Sequence, residues 1–221
     1  MKRRLFGLLA FVLVGMASLL GTSSAVWAAD LQQAVFAGGC FWCLEHDLEV
    51  LPGVISAESG YSGGSTANPT YQQVSSGRTG HAESVLVRFD PDRISYATLL
   101  RAFWRNVDPV DGDGQFCDRG SSYRPLIFTG SADQLEQANE SARLAVQELG
   151  TSETLAVAIE PLKRFWPAED YHQDYAERQA LTYNFYRWRC GRDARLDAVW
   201  GEQARLPAVW KTATAFPTNA G

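Results

Sequence analysis

Residues 31–53 read LQQAVFAGGCFWCLEHDLEVLPG, and the change of period inside this stretch decides the fold. Leu31 to Ala37 is a short strand-like run, Gly38-Gly39 breaks it, and Cys40 to Val50 then carries helical spacing through Leu44, Leu48 and Leu51 until Pro52-Gly53 stops it. Cys40 therefore sits at a strand-to-helix turn. A thiol there feels the positive end of the backbone dipole, which favours the thiolate, the nucleophilic form. The two glycines before it put no side chains in the way of an approaching molecule.

The same alternation continues outward. Val54 to Ser59 reads as extended chain, residues 62–69 as a Gly/Ser-rich loop, and His81 to Phe89 as a strand closed by Asp90-Pro91. Ser95 caps a helix that packs Leu99, Leu100, Phe103 and Val107. Asp108 to Ser122 is polar and Gly-rich, a long surface loop leading into a strand from Arg124 to Thr129. Ser131 and Gln134 form a capping box for a helix with Leu135, Ala138, Ala142, Ala145 and Leu149 on its apolar stripe and Gly150 at its end. Thr154 to Ile159 is the last strong strand, and beyond Pro161 the chain reads as irregular. Strands and helices in this order imply an α+β two-layer sandwich, a mixed sheet covered by helices, with an irregular C-terminal tail.

The chain has 221 residues and 46% hydrophobic content, enough for one sizeable core plus an extra segment. That segment is the N-terminus. Lys2, Arg3 and Arg4 precede an apolar run from Leu5 to Leu20, and Val26-Trp27-Ala28 offers small residues at cleavage-site positions, so residues 1–28 read as a signal peptide. The protein is then exported, to the periplasm or the extracellular space, with an uncleaved membrane anchor as the alternative. Residues 29–191 form the catalytic domain and 192–221 a partly ordered extension with Pro207 and Pro217. Removing residues 1–28 takes away three cations and no acids, moving the net charge from −5 to −8. With no Lys/Arg cluster after the signal, nucleic acid is excluded as a partner.

Cys40, Cys43, Cys117 and Cys190 remain. A domain of this length needs no disulfide staples, which frees its cysteines for chemistry. Cys-x-x-Cys after a strand also fits a thiol-disulfide oxidoreductase of thioredoxin type, but Phe41-Trp42 is an unusual middle pair for one. A zinc module built from all four thiols is disfavoured because Cys117 and Cys190 are far apart in the chain and no histidine cluster assists them. Phe41 and Trp42 are either core or an apolar cup for a small methylated group beside the sulfur.

Gly39-Cys40-Phe41-Trp42-Cys43 resembles the signature of the peptide-methionine (S)-S-oxide reductases, the class A methionine sulfoxide reductase family. Further blocks match in order: Gly60-Tyr61-Ser62-Gly63-Gly64, Asn68-Pro69-Thr70-Tyr71, Gly80-His81-Ala82-Glu83, Asn106-Val107-Asp108-Pro109, Ser122-Tyr123-Arg124 and Ala168-Glu169-Asp170-Tyr171-His172. The resemblance spans most of residues 35–191. It implies a ferredoxin-like core, Cys40 as the nucleophile on the sulfoxide sulfur, Glu83 as proton donor to the departing oxygen, and Tyr71 and Tyr123 as phenol donors to it. Phe41, Trp42 and Asp118 fall at substrate-binding positions.

The resemblance further implies that oxygen transfer leaves Cys40 as a sulfenic acid, which a second thiol condenses into a disulfide. Cys190, in Tyr186-Arg187-Trp188-Arg189-Cys190-Gly191, falls at the resolving position; Cys43, one helical turn from Cys40, and Cys117 are the alternatives. No bound cofactor and no metal is implied, only an external thioredoxin-like reductant, with methionine sulfoxide, free or in oxidised proteins, as substrate for a monomer. The sequence departs from many relatives at Cys43, where glycine is frequent, and in having no cysteine beyond Cys190.

Overall fold

The computed structural model describes residues 30–201 and Ala204. The proposed signal (1–28) and the far end of the tail lie outside the described residues.

In chain order the elements are β1 (Gln32–Ala37), α1 (Phe41–Glu49), β2 (Val54–Ser62), α2 (Tyr71–Ser75), β3 (Ala82–Phe89), α3 (Tyr96–Trp104), β4 (Gly114–Gln115), β5 (Asp118–Arg119), β6 (Leu126–Thr129), α4 (Ala132–Leu149), β7 (Ala158–Pro161), β8 (Phe165–Pro167), α5 (Tyr175–Arg178), α6 (Ala180–Cys190) and α7 (Arg192–Trp200). The large sheet runs β7-β6-β1-β3-β2-β8. Its four inner strands, β6-β1-β3-β2, are mutually antiparallel, with α1 and α3 in the two crossovers, which is the ferredoxin-like arrangement. Parallel β7 widens one edge and antiparallel β8 the other, so the sheet is mixed.

Alternation along β1 and β3 explains the layers, because successive side chains point to opposite faces. Phe36, Val85, Val87 and Phe89 join Leu44 and Leu48 of α1 and Leu99, Leu100 and Phe103 of α3 in the main core. Val35, Ala37, Leu86 and Phe128 face the other way into a smaller cluster with Leu162 and Phe165.

Several local expectations change. Ser131 does accept from the Gln134 N–H at 3.1 Å, but the Gln134 side chain accepts from Gly130 N–H at 2.8 Å, so only half of the expected box forms. A complete box sits instead at Thr70 and Gln73, heading α2. Leu135 of the predicted stripe is 45% exposed, and buried Ser141 takes part in its place, accepting from Trp104 Nε1 at 2.9 Å. The strand expected over Thr154–Ile159 begins at Ala158, where pairing with β6 becomes available.

Asp108–Ser122 is not a surface loop throughout. Gln115 is fully buried, and its amide accepts from Asp108 N–H and donates to the carbonyls of Asp108 and Asp111, closing the segment on itself. The stretch after Pro161 holds more regular structure than its sequence suggests, with β8 and three short helices. Leu196 and Trp200 of α7 are packed into the main core.

Glu45, on the buried face of α1, accepts from Ser59 N–H at 3.1 Å, and burial pushes its carboxyl up to about 7. A pKa above the ordinary carboxylate value means that the folded protein holds this proton more tightly than the unfolded chain. The resulting stabilisation is full below about pH 4.5 and is lost as pH rises to about 7. Glu45→Gln should therefore remove about 2–3 kcal/mol of pH-dependent stability. Urea midpoints at about pH 5 and about pH 8 check this; the variant should show the smaller drop.

Candidate active site

The turn between β1 and α1 presents Cys40. Its carbonyl accepts from the Cys43 and Leu44 N–H groups, starting the helix, while its side chain is only 5% exposed. The glycines before it make room for the chain's own packing rather than for an incoming molecule. A Cβ on Gly38 would lie 2.8 Å from Val107 Cγ1, and one on Gly39, at φ +81°, would lie 2.7 Å from Gln115 Cβ. Glycine is required here to let the turn close against the loop after α3.

The reading of Cys40 as an acidic thiol is also corrected. Burial pushes its pKa up, and the neighbouring Cys43 and Glu83 push it further. Desolvation outweighs the dipole of a nine-residue helix. Cys43 moves the other way, lowered first by its hydrogen bond with Cys40 and then by the charges of Arg192 and Arg187.

Seven residues singled out in the sequence, Cys40, Phe41, Trp42, Tyr71, Glu83, Asp118 and Tyr123, line one cavity of about 90 Å³. They arrive from four places: the head of α1, the start of α2, β3, and the segment from β5 to the turn before β6. Glu83, 2% exposed on a central strand, accepts from Phe41 N–H at 3.0 Å, and burial pushes its carboxyl up to about 8. Burial thus favours its protonated form well above the ordinary carboxylate range. Burial raises the Tyr71 and Tyr123 phenols as well, keeping both as donors.

The aromatic wall is held from behind. Trp42 Nε1 donates to His172 Nδ1 at 3.1 Å, and its ring stacks on Tyr175 at 3.8 Å. Glu169 accepts from Tyr71 N–H and from Tyr61 Oη, both at 2.9 Å, tying the chain after β8 to the head of α2.

The eighth lining residue, Tyr186 of α6, was not assigned a role from sequence. Its hydroxyl donates to Asp118 Oδ2 at 2.5 Å, on the cavity that Cys40 also lines. The only signal was its place four residues before Cys190 in a run dense in aromatic and basic residues. Cys190 itself is bridged to Cys117, 73 positions away, with Cα atoms 5.0 Å apart, whereas Cys40 and Cys43 are free thiols.

A buried free thiol, a buried carboxyl and phenol donors around one small aromatic cavity fit a thiol-dependent reductase of a small polarised oxide. Residues 32–204 match the family model described as peptide methionine sulfoxide reductase. The chain is 50% identical over 199 residues to peptide methionine sulfoxide reductase MsrA 2 of Caulobacter vibrioides, covering 90% of this chain and 99% of that one. It is 43% identical over 173 residues to the MsrA of Limosilactobacillus reuteri, covering 77% and 98%. The structure of methionine sulfoxide reductase A of Corynebacterium diphtheriae superposes with a TM-score of 0.65 at 30% identity, covering 70% of this chain and 78% of that one. The chain belongs to the peptide methionine sulfoxide reductase family and is an oxidoreductase.

Proposed function

We propose that the cavity binds the S epimer of methionine sulfoxide, in proteins or as the free amino acid, and that Cys40 attacks its sulfur. The observation that carries this reading is that the Cys40 thiol and the buried Glu83 carboxyl line one cavity. Oxide is a poor leaving group, so the oxygen must be protonated as sulfur is attacked. Glu83 gives that proton while Tyr71 and Tyr123 donate hydrogen bonds to the oxygen, and Phe41 and Trp42 enclose the methyl group. As the Cys40–sulfur bond forms, the thiol proton passes to the new Glu83 carboxylate. The hydroxyl then passes to the Cys40 sulfur as the substrate's sulfur–oxygen bond and the transient Cys40–sulfur bond break, which leaves Cys40 as a sulfenic acid and releases the thioether.

Cys190 resolves the sulfenic acid, expelling water, and Cys117 then attacks Cys190 to free Cys40. The Cys117–Cys190 bridge is the pair that such an exchange leaves, which supports this route, and the exposed Cys117 is the sulfur an external dithiol of thioredoxin type would reach. Asp118, between cavity and bridge, orients Tyr186 and the incoming Cys190. The protein acts as a monomer after export through residues 1–28. Among the described residues no helix is long and apolar enough to cross a membrane.

The test is a disulfide map by mass spectrometry after one equivalent of substrate is added to the fully reduced protein. It should recover Cys117–Cys190 with Cys40 free. Cys190→Ser should form one methionine per enzyme and then stop with a thioredoxin-like donor. A Cys40–Cys43 bridge in the map, with recycling intact in Cys190→Ser, would instead assign resolution to Cys43, the other buried free thiol, one helical turn from Cys40.

A further inference from the structure

Cys117 and Cys190 stand 73 positions apart in the sequence, yet α6 ends beside the β4–β5 hairpin and brings them together with Asp118. The two sulfurs and a carboxylate oxygen all lie within 4.8 Å of one another, with Cys190 Sγ 3.9 Å from Asp118 Oδ2. Two thiolates and a carboxylate are a three-ligand set of the kind that holds zinc with water in the fourth position. In a tetrahedral site, neighbouring sulfur and oxygen stand about 3.5 Å apart and two sulfurs about 3.8 Å. The Cys190 sulfur–oxygen distance is close to that, whereas the two sulfurs, bonded to each other in the bridge, must separate by side-chain rotation once it is reduced.

The surroundings suit ligation too. Cys117 N–H points at Cys190 Sγ at 3.2 Å, and the Tyr186 hydroxyl donates to the Asp118 carboxylate. Outer hydrogen bonds of this type orient metal ligands and fix their charge. Cys117 is exposed and the other two are half-buried, which gives a metal its entry path and a water its place.

We propose that the reduced protein binds one zinc ion through Cys117, Asp118 and Cys190, releasing the two thiol protons to solvent. Bound zinc and the disulfide exclude each other, since both use the same sulfurs. This deepens the recycling reading above and rests on it for its consequence: zinc holds the two sulfurs that carry recycling and stops that step.

The experiment titrates Co²⁺ into the fully reduced full-length protein without oxygen, following the sulfur-to-cobalt charge-transfer band and the visible bands of a tetrahedral site, then displaces cobalt with zinc. One equivalent should bind to the wild type and to Cys43→Ser. The band should be lost in Cys117→Ser, in Cys190→Ser and in the oxidised protein, and binding should weaken by about tenfold or more in Asp118→Asn. With one equivalent of zinc, one methionine per enzyme should still form without reductant, while thioredoxin-driven turnover should fall by about tenfold or more, restored by a chelator. A missing band in the reduced wild type, or one that survives loss of Cys117 or Cys190, overturns the site. An intact band with unimpeded recycling overturns the consequence, and if Cys190→Ser also recycles normally, it is the resolving role of Cys190 that has failed.

Discussion

Cys40→Ser is expected to abolish methionine sulfoxide reduction, by at least about 10⁴-fold in kcat/KM. Serine is nearly the same size, so the side chain still fits a position only 5% exposed between the head of α1 and the aromatic wall. The chemistry does not survive. A hydroxyl is a harder and weaker nucleophile toward sulfur, and the product of oxygen transfer to it would be a peroxide, which no thiol can resolve into a disulfide. Substrate binding should persist, because Trp42, Tyr71 and Tyr123 are held by His172, Glu169 and their own elements rather than by Cys40. Isothermal titration with the sulfoxide, alongside stopped-flow detection of methionine, separates the two. Turnover within tenfold of the wild type would remove Cys40 as the nucleophile.

The position of Cys40 was legible because it depends on a local change of period. A strand pattern that stops at two glycines and resumes as a helix fixes a turn whatever happens elsewhere in the chain. The ionisation of the thiol was not legible, since the helix end is a local feature whereas burial comes from α6 and the Asp108–Ser122 segment. Gln115 shows the same limit. Its segment looks like a solvated loop until its amide is seen to satisfy three backbone groups by itself. Tyr186 and the Cys117–Cys190 bridge were hidden for a topological reason, because short helices late in the chain carry weak periodicity and their partners lie about 70 positions earlier. The ordered motif blocks supplied what spacing could not: that Tyr71, Glu83 and Tyr123, from three different elements, meet around one sulfur.

Glu83→Gln should slow the chemical step by about 10²- to 10⁴-fold, the range for a positioned proton donor. The substitution is close to isosteric, and the amide oxygen can still accept from Phe41 N–H, so the head of α1 keeps its anchor. The pH profile gives the sharper signature. With the carboxyl at about 8, the wild type holds its proton through the neutral range, and its rate should fall as pH rises above about 8 and the donor is lost. In Glu83→Gln that limb vanishes and the slope reverses. No acid remains to lose, the limiting species becomes the Cys40 thiolate, and the small residual rate should rise with pH. Alkylation of Cys40 by iodoacetamide controls for damage to the site. The Glu83 charge is one of the influences holding the thiol pKa up, so the variant should label at least as fast as the wild type at every pH. A residual rate that still falls above about pH 8 would mean that another group carries the proton to the oxygen, and the phenols of Tyr71 and Tyr123, both kept protonated by burial, would be the next to replace.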